Sequence, residues 1–284
     1  MIHKPIKCLH PTSLYRTVTA HGWVHLAPWC WDMGSNELSR PERLGNGNIV
    51  SIKVYQVDAL TLIAQIDVET LEQQEHEEIE SIVKRWLSLD WNPVPAIRLS
   101  RMLNPRIAFY IKHGGGRFLR CSTFYEDFVK TVCTINTNWA STRRMVSSLV
   151  NQLGNGVFPT PLDIMGYGEN ALRKDLRLGF RARVLVESSR QLLEERWIDD
   201  EGNLKHKDIQ FEDLIALRGI GPYSASHLMM LTHNFRRIPI DSEVPRYCRD
   251  YHNVDPQCID TFFGAWGAFR VLGYKLSRIV DGTN

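Results

Sequence analysis

The residues best placed to do chemistry fall in one stretch, 211–244, FEDLIALRGIGPYSASHLMMLTHNFRRIPIDSEV. An amphipathic run closes at Leu217, Arg218-Gly219-Ile220-Gly221 follows, and Pro222 opens a second helical run. Proline suits a first helical turn, because its missing N–H has no partner there in any case. Two glycines permit a tight hairpin and let backbone approach a ligand. The amides at the start of the second helix, with the helix dipole behind them, then form an anion site suited to a phosphate. Gly219, Gly221, Ser224 and Asp241 also come near a dinucleotide-binding fingerprint. That fingerprint follows a buried strand, whereas FEDLIAL has helical period and the third glycine is Ser224, so the hairpin is preferred. Asp241-Ser242-Glu243 reads by itself as a helix start, with Asp241 as the N-cap.

Other groupings carry less. His21 and His25 stand four apart, but Pro28 follows closely and no third zinc ligand is evident. The six cysteines (Cys8, Cys30, Cys121, Cys133, Cys248 and Cys258) include no Cys-x-x-Cys pair and no close group of four. They read as reduced, mostly buried thiols rather than a zinc or iron–sulfur centre. The aromatic stretch from His21 to Trp31 is either core or a stacking wall for an electron-poor base.

These residues need elements to hold them. Residues 48–56 and 58–68 alternate apolar and polar side chains and predict an antiparallel hairpin turning at 56–58. Residues 70–88 predict a helix, and the glycines of 112–116, KHGGG, a turn or linker. Beyond it the period is helical over 123–137, 141–153, 162–167, 179–196, 210–217 and 222–233, with breaks at 154–156, 158–161 and 199–203. The expected fold class is therefore α+β: an N-terminal antiparallel-sheet and helix domain over 1–116, then an all-helical core over 117–284, with a helix-hairpin-helix at about 211–233. The 284 residues, 43% hydrophobic and 23% charged, have ordinary globular composition. No apolar run approaches the roughly 18–20 residues that span a bilayer, and the opening residues lack the apolar core of a secretory leader. A cytoplasmic location, nuclear or organellar in a eukaryote, is expected. A net charge of +2 neither demands nor excludes nucleic acid.

The stretch as a whole resembles the helix-hairpin-helix (HhH-GPD) superfamily of DNA glycosylases. Leu217, Gly219, Ile220, Gly221 and Ala225, then Ile238-Pro239-Ile240-Asp241, follow that family's Leu-x-Gly-Ile/Val-Gly-x-x-x-Ala pattern and its apolar–Pro–apolar–Asp element. Residues 117–154, 176–195 and 263–274 resemble core segments of the 8-oxoguanine DNA glycosylases, while 1–116 match in pattern only. The resemblance implies a base-excision-repair enzyme that flips a damaged purine from duplex DNA and cuts its N-glycosidic bond. Asp241 would be catalytic, its carboxylate stabilising positive charge on the sugar and orienting the attacking water. Gly219, Gly221, Tyr223, Ser224 and Ala225 would meet the DNA backbone. Carbonyls of Leu217 and Gly219 would hold a monovalent cation, and no organic cofactor is implied.

Tyr223 departs from the relatives that also cut the strand. Those have a Schiff-base lysine there, and Tyr223 replaces it as in 3-methyladenine DNA glycosylase II. Tyrosine has no amine, so simple hydrolysis leaving an abasic site is expected. Tyr223 then either packs or stacks near the flipped base. Asn136 matches the residue that fills the gap left by the extruded nucleotide, though asparagine also commonly ends helices. Phe180 and Arg181 match the pair set against the opposite base. A second arginine of that set would fall at Ser141, and its absence leaves strict choice of an opposite cytosine in doubt. Trp266, Phe269 and Tyr274 would share a C-terminal helix, with Trp266 and Phe269 reaching the base pocket or simply packing. The expected partner of this monomer is double-stranded DNA with a damaged base, with no membrane. Two rivals stand beside this: a non-catalytic binder of damaged or abasic DNA, and a glycosylase/lyase using another lysine, such as Lys130 or Lys275.

Overall fold

The computed structural model describes residues 1–205 and 208–282; residues 206–207 and 283–284, the latter the end of the expected 117–284 core, lie outside the described residues. The chain forms two compact units, Met1–Trp91 with Arg117–Lys207 (unit 1) and Asn92–Gly116 with Asp208–Asn284 (unit 2). The point at 116/117 expected to divide the chain is one of three at which it passes between units.

Unit 1 carries five antiparallel strands: β1 (Ile2–Lys7), β2 (Cys30–Asp32), β3 (Glu37–Arg43), β4 (Ile49–Asp58) and β5 (Thr61–Ile66), in the order β1-β5-β4-β3-β2. The expected hairpin is β4–β5. Val50, Ile52 and Val54 of β4 and Leu62, Ala64 and Ile66 of β5 all lie on the buried face, as a period of two requires. The turn falls at Ala59-Leu60 rather than at 56–58. A bulge between Gln56 and Asp58 lets β4 run on, and the Asp58 carboxylate then accepts the Leu60 N–H at 2.7 Å to close the turn. β3 was not legible, because its inward positions are Leu38, Arg40 and Glu42, two of them charged yet buried.

The helix Gln73–Trp86 buries Ile79, Val83 and Trp86 at helical spacing. Helix Phe124–Thr134 begins at Thr123, whose hydroxyl accepts the Glu126 N–H at 3.1 Å, and nearly all of it is buried. Helices Leu14–Val18, Trp139–Ser148, Pro161–Tyr167, Glu169–Lys174 and Arg181–Glu194 also belong to this unit. Within the aromatic stretch Trp23 and Trp29 are core, Trp29 meeting Trp86 edge-on at 4.9 Å, while Trp31 is half-buried and His25 exposed. His21 bonds the Leu119 carbonyl at 2.7 Å.

Unit 2 is helical: Val94–Leu103, Pro105–Lys112, Phe211–Ala216, Pro222–Leu231, Glu243–His252, Ile259–Phe262 and Arg270–Val280. The expected single helix over 263–274 is broken at Gly267 (φ 51°, ψ −114°), a conformation that interrupts any helix. A short 3₁₀ run, Gly264–Phe269, therefore precedes helix Arg270–Val280. Trp266 lies against that helix at Gly273, where a Cβ would sit 2.6 Å from the indole. Gly273→Ala is expected to lower stability by about 1–3 kcal/mol through overpacking, read as a lower urea midpoint. No helix among the described residues is long and apolar enough to cross a membrane.

Candidate functional site

In unit 2 the helix-hairpin-helix forms as its residues require. Helix Phe211–Ala216 ends at the buried Leu217, whose carbonyl accepts the Ile220 N–H at 3.2 Å to tighten the turn. Gly219 takes φ 72°, a left-handed value that glycine adopts without cost. Gly221 does not need that freedom: its φ is −100° and a Cβ would meet nothing within 4 Å. Glycine there keeps open space above the start of helix Pro222–Leu231, and having no side chain it leaves the first-turn amides without a side-chain cap. The Ala225 amide already donates to the Gly221 carbonyl at 3.0 Å and its methyl is fully buried, so Ala225 serves packing. Ser224 is buried too, whereas Tyr223 is half-buried with its ring 5.9 Å from that of His227. A carbonyl oxygen keeps a second lone pair, so Leu217 and Gly219 retain the oxygen chemistry that a cation would need.

Ile238 and Pro239 anchor the next element in the core, and Asp241 stands exposed at its end. Its Oδ1 accepts the N–H groups of Glu243 at 2.9 Å and Val244 at 3.2 Å, at the head of helix Glu243–His252. This is the capping geometry expected of Asp241. Two amides at a helix start hold the carboxylate in place through Oδ1 and leave Oδ2 for other work.

Lys275, which the sequence offered as an alternative nucleophile, lies within the electrostatic field of Asp241, a relation the sequence pattern does not carry. Helix Arg270–Val280 carries the half-buried Lys275, whose amine is 5.6 Å from the Tyr274 ring centroid and within the field of Asp241. Burial pushes the Lys275 ammonium below its ordinary range, and the Asp241 charge opposes that shift. Trp266 is only 8% exposed and packs on Gly273. Phe269 is half-buried. Tyr274 belongs to an aromatic cluster with Tyr247 and Phe263, at 5.8 and 6.0 Å, and burial pushes its phenol up to about 12.

Unit 1 holds the other expected residues. Asn136 is exposed, at φ 47°, just after helix Phe124–Thr134. A left-handed asparagine just past a helix is what ends many helices, so this backbone fits the helix-end reading and leaves the exposed side chain available for another role. Phe180 is 49% exposed, with the Arg181 guanidinium 4.5 Å above its ring. Arg181 is not a surface arginine: it is 7% exposed and donates to the Ile135 carbonyl, next to Asn136. Lys130 is closed to any substrate. It is fully buried and paired with Glu126 at 2.8 Å. Glu126 also takes both guanidinium nitrogens of Arg40 at 2.9 Å, and Arg40 pairs again with Glu42. Burial pushes the Glu42 carboxyl up to about 7.

No protein-family model matches the chain. An N-glycosylase/DNA lyase of Saccharomyces cerevisiae is 24% identical over 258 residues, which cover 78% of this chain and 65% of that protein; the chain thus spans just under two thirds of that relative's length. A 3-methyladenine DNA glycosylase from Archaeoglobus fulgidus superposes with a TM-score of 0.70 at 20% identity, covering 96% of this chain and 97% of that one. The Clostridium acetobutylicum 8-oxoguanine glycosylase/lyase, bound to DNA with cytosine opposite 8-oxoguanine, gives 0.59 at 16% identity, covering 93% of each. Across more than nine-tenths of its length, then, this chain has the α+β fold shared by these 3-methyladenine and 8-oxoguanine DNA glycosylases.

Proposed function

We propose that the protein is a DNA glycosylase that flips a damaged purine from duplex DNA and hydrolyses its N-glycosidic bond, leaving an abasic site in an intact strand. The observation that carries this is the Asp241 carboxylate, fixed by two helix amides in the same unit as a hairpin shaped for a backbone phosphate. As the base leaves, the sugar gains oxocarbenium character. A pre-fixed carboxylate stabilises that charge without reorganising, and its free oxygen takes the proton of the water that attacks C1′. Gly219, Gly221 and the amides of Tyr223 and Ser224 would hold the phosphate, and a monovalent cation on the Leu217 and Gly219 carbonyls would brace the turn. In unit 1, Asn136 would fill the gap left by the flipped nucleotide and Phe180 would stack beside the opposite base, with Arg181 steadying the Ile135–Asn136 turn.

Duplexes bearing 8-oxoguanine, a methylated purine, hypoxanthine or uracil test it directly. Base release from a purine lesion, with strand breakage only after alkali, is the expected result. No release from any of them, with tight binding to an abasic analogue, would make the chain a binder of damaged DNA. One observation favours a second reading: Lys275 has a lowered amine pKa and lies within the field of Asp241. Its amine could attack the sugar aldehyde and form an imine that leads to strand cleavage. A borohydride-trapped adduct that disappears in Lys275→Ala would establish that reading, and its absence in the wild type would leave hydrolysis.

A further inference from the structure

Helix Trp139–Ser148 and the loop before helix Arg181–Glu194, both in unit 1, enclose a polar cavity of 660 Å³. Three arginines line it: Arg144, Arg177 and Arg181. Arg144 is exposed but not loose. Its Nη2 donates to the Ser141 hydroxyl at 2.9 Å, one helical turn back, and the Ser141 amide is in turn held by Asn138 at 2.9 Å. Arg177 sits at φ 56° between the buried Leu176 and Leu178, so its backbone is fixed. Arg181 is more than nine-tenths buried and, although one nitrogen reaches Ile135, its Nε has no hydrogen-bond partner among the described residues. A buried cationic donor with an open valence calls for an anion or acceptor. Among the described residues the only carboxylate lining the cavity is Asp175, within 3.5 Å of the Tyr167 hydroxyl, which leaves two positive charges in excess.

The lining also narrows the ligand. Its apolar members are Met145 and Leu176, and no aromatic ring among the described residues lines it, the Phe180 ring 4.5 Å from the Arg181 guanidinium standing outside the lining, so the cavity itself offers donors rather than a stacking face. Guanidinium forks beside hydroxyls match a phosphate instead. We infer that this cavity is a second phosphate site, which grips the DNA backbone through Arg144 and Arg177 over Arg181. The inference rests on the DNA-binding reading above and adds to it a grip distant in sequence from the hairpin. Arg144, positioned by Ser141, thus supplies a guanidinium one turn beyond the place where the sequence lacks one.

Anisotropy titrations of an abasic-analogue duplex between 50 and 200 mM salt test it, with wild type, Arg144→Gln and Arg177→Gln. Each variant should bind more weakly, with the slope of log K against log salt reduced by about 0.9 for each phosphate no longer neutralised. The weakening should be equal for all four opposite bases and for undamaged duplex. Unchanged slopes would overturn the inference. So would a weakening confined to one opposite base, which would make the cavity a base reader. Calorimetry with inorganic phosphate gives a further arm: binding that depends on Arg144 while duplex affinity does not would mark a free-phosphate site and overturn it too. A wild type that binds no duplex at all would instead sink the DNA-binding reading itself.

Discussion

Asp241→Asn should reduce single-turnover base release by about 100- to 1000-fold or more, the scale at which one pre-fixed electrostatic group contributes to catalysis. The substitution separates the cap that the structure shows from the catalysis proposed for this residue. Asparagine is as good an N-cap as aspartate, so the bonds from the Glu243 and Val244 amides to Oδ1 survive and helix Glu243–His252 stays anchored. What disappears is the negative charge and the oxygen able to take a proton from water. A capping role alone therefore predicts an unchanged rate, and a catalytic role predicts a collapse at unchanged stability. Release measured after alkali, beside an unfolding curve, tells the two apart. A variant with wild-type release would end the glycosylase assignment of Asp241.

Glu126→Ala should cost about 3–5 kcal/mol of stability, because it leaves the buried cations Arg40 and Lys130 without their shared partner. Neither can reach water where it stands: Lys130 is fully buried and Arg40 nearly so. Equilibrium urea unfolding measures this, and a change below about 1 kcal/mol would show that the cluster relaxes or hydrates. The same cluster predicts a pH dependence. Burial raises the Glu42 carboxyl to about 7 in the fold, above its unfolded value. Its contribution is then complete at acid pH, below that unfolded value, and is lost as pH rises through 7. Glu126 is shifted the other way. Burial raises it, but the Arg40 and Lys130 charges outweigh that and hold it down at about 2, so its contribution is lost only in strong acid. Between pH 5 and 8 the unfolding midpoint should therefore fall, and Glu42→Gln should flatten that fall. A wild-type midpoint that climbs over this range would contradict the assignment.

The hairpin and its flanking helices were legible because their signals are local. A proline at a helix start, a left-handed glycine and a helical apolar period each act within a few residues, and 211–233 folds as those rules require. β4 and β5 were legible for the same reason, since alternation states which side chains face inward. Helix Glu243–His252 starts where Asp241 announced it. What failed were places where a partner far along the chain sets the environment. β3 looks polar because Arg40 finds its counter-charge in Glu126, 86 residues away. Arg181 looks like a surface cation until the Ile135 carbonyl, 46 residues earlier, takes it inward. The C-terminal segment looks like one helix until Gly267 folds Trp266 back onto Gly273.

By itself, then, the sequence determined the hairpin, the identity of the carboxylate beyond it, the tyrosine in place of a lysine, and the α+β class. Only the tertiary structure decided that Lys130 is sealed in a charge cluster while Lys275 lies within the field of Asp241, and that Arg144 stands with Arg177 and Arg181 around one cavity. Backbone preference and apolar period act within a few residues and are written in the order of the chain. Burial and the electrostatic field depend on what approaches from elsewhere, and no local pattern records it.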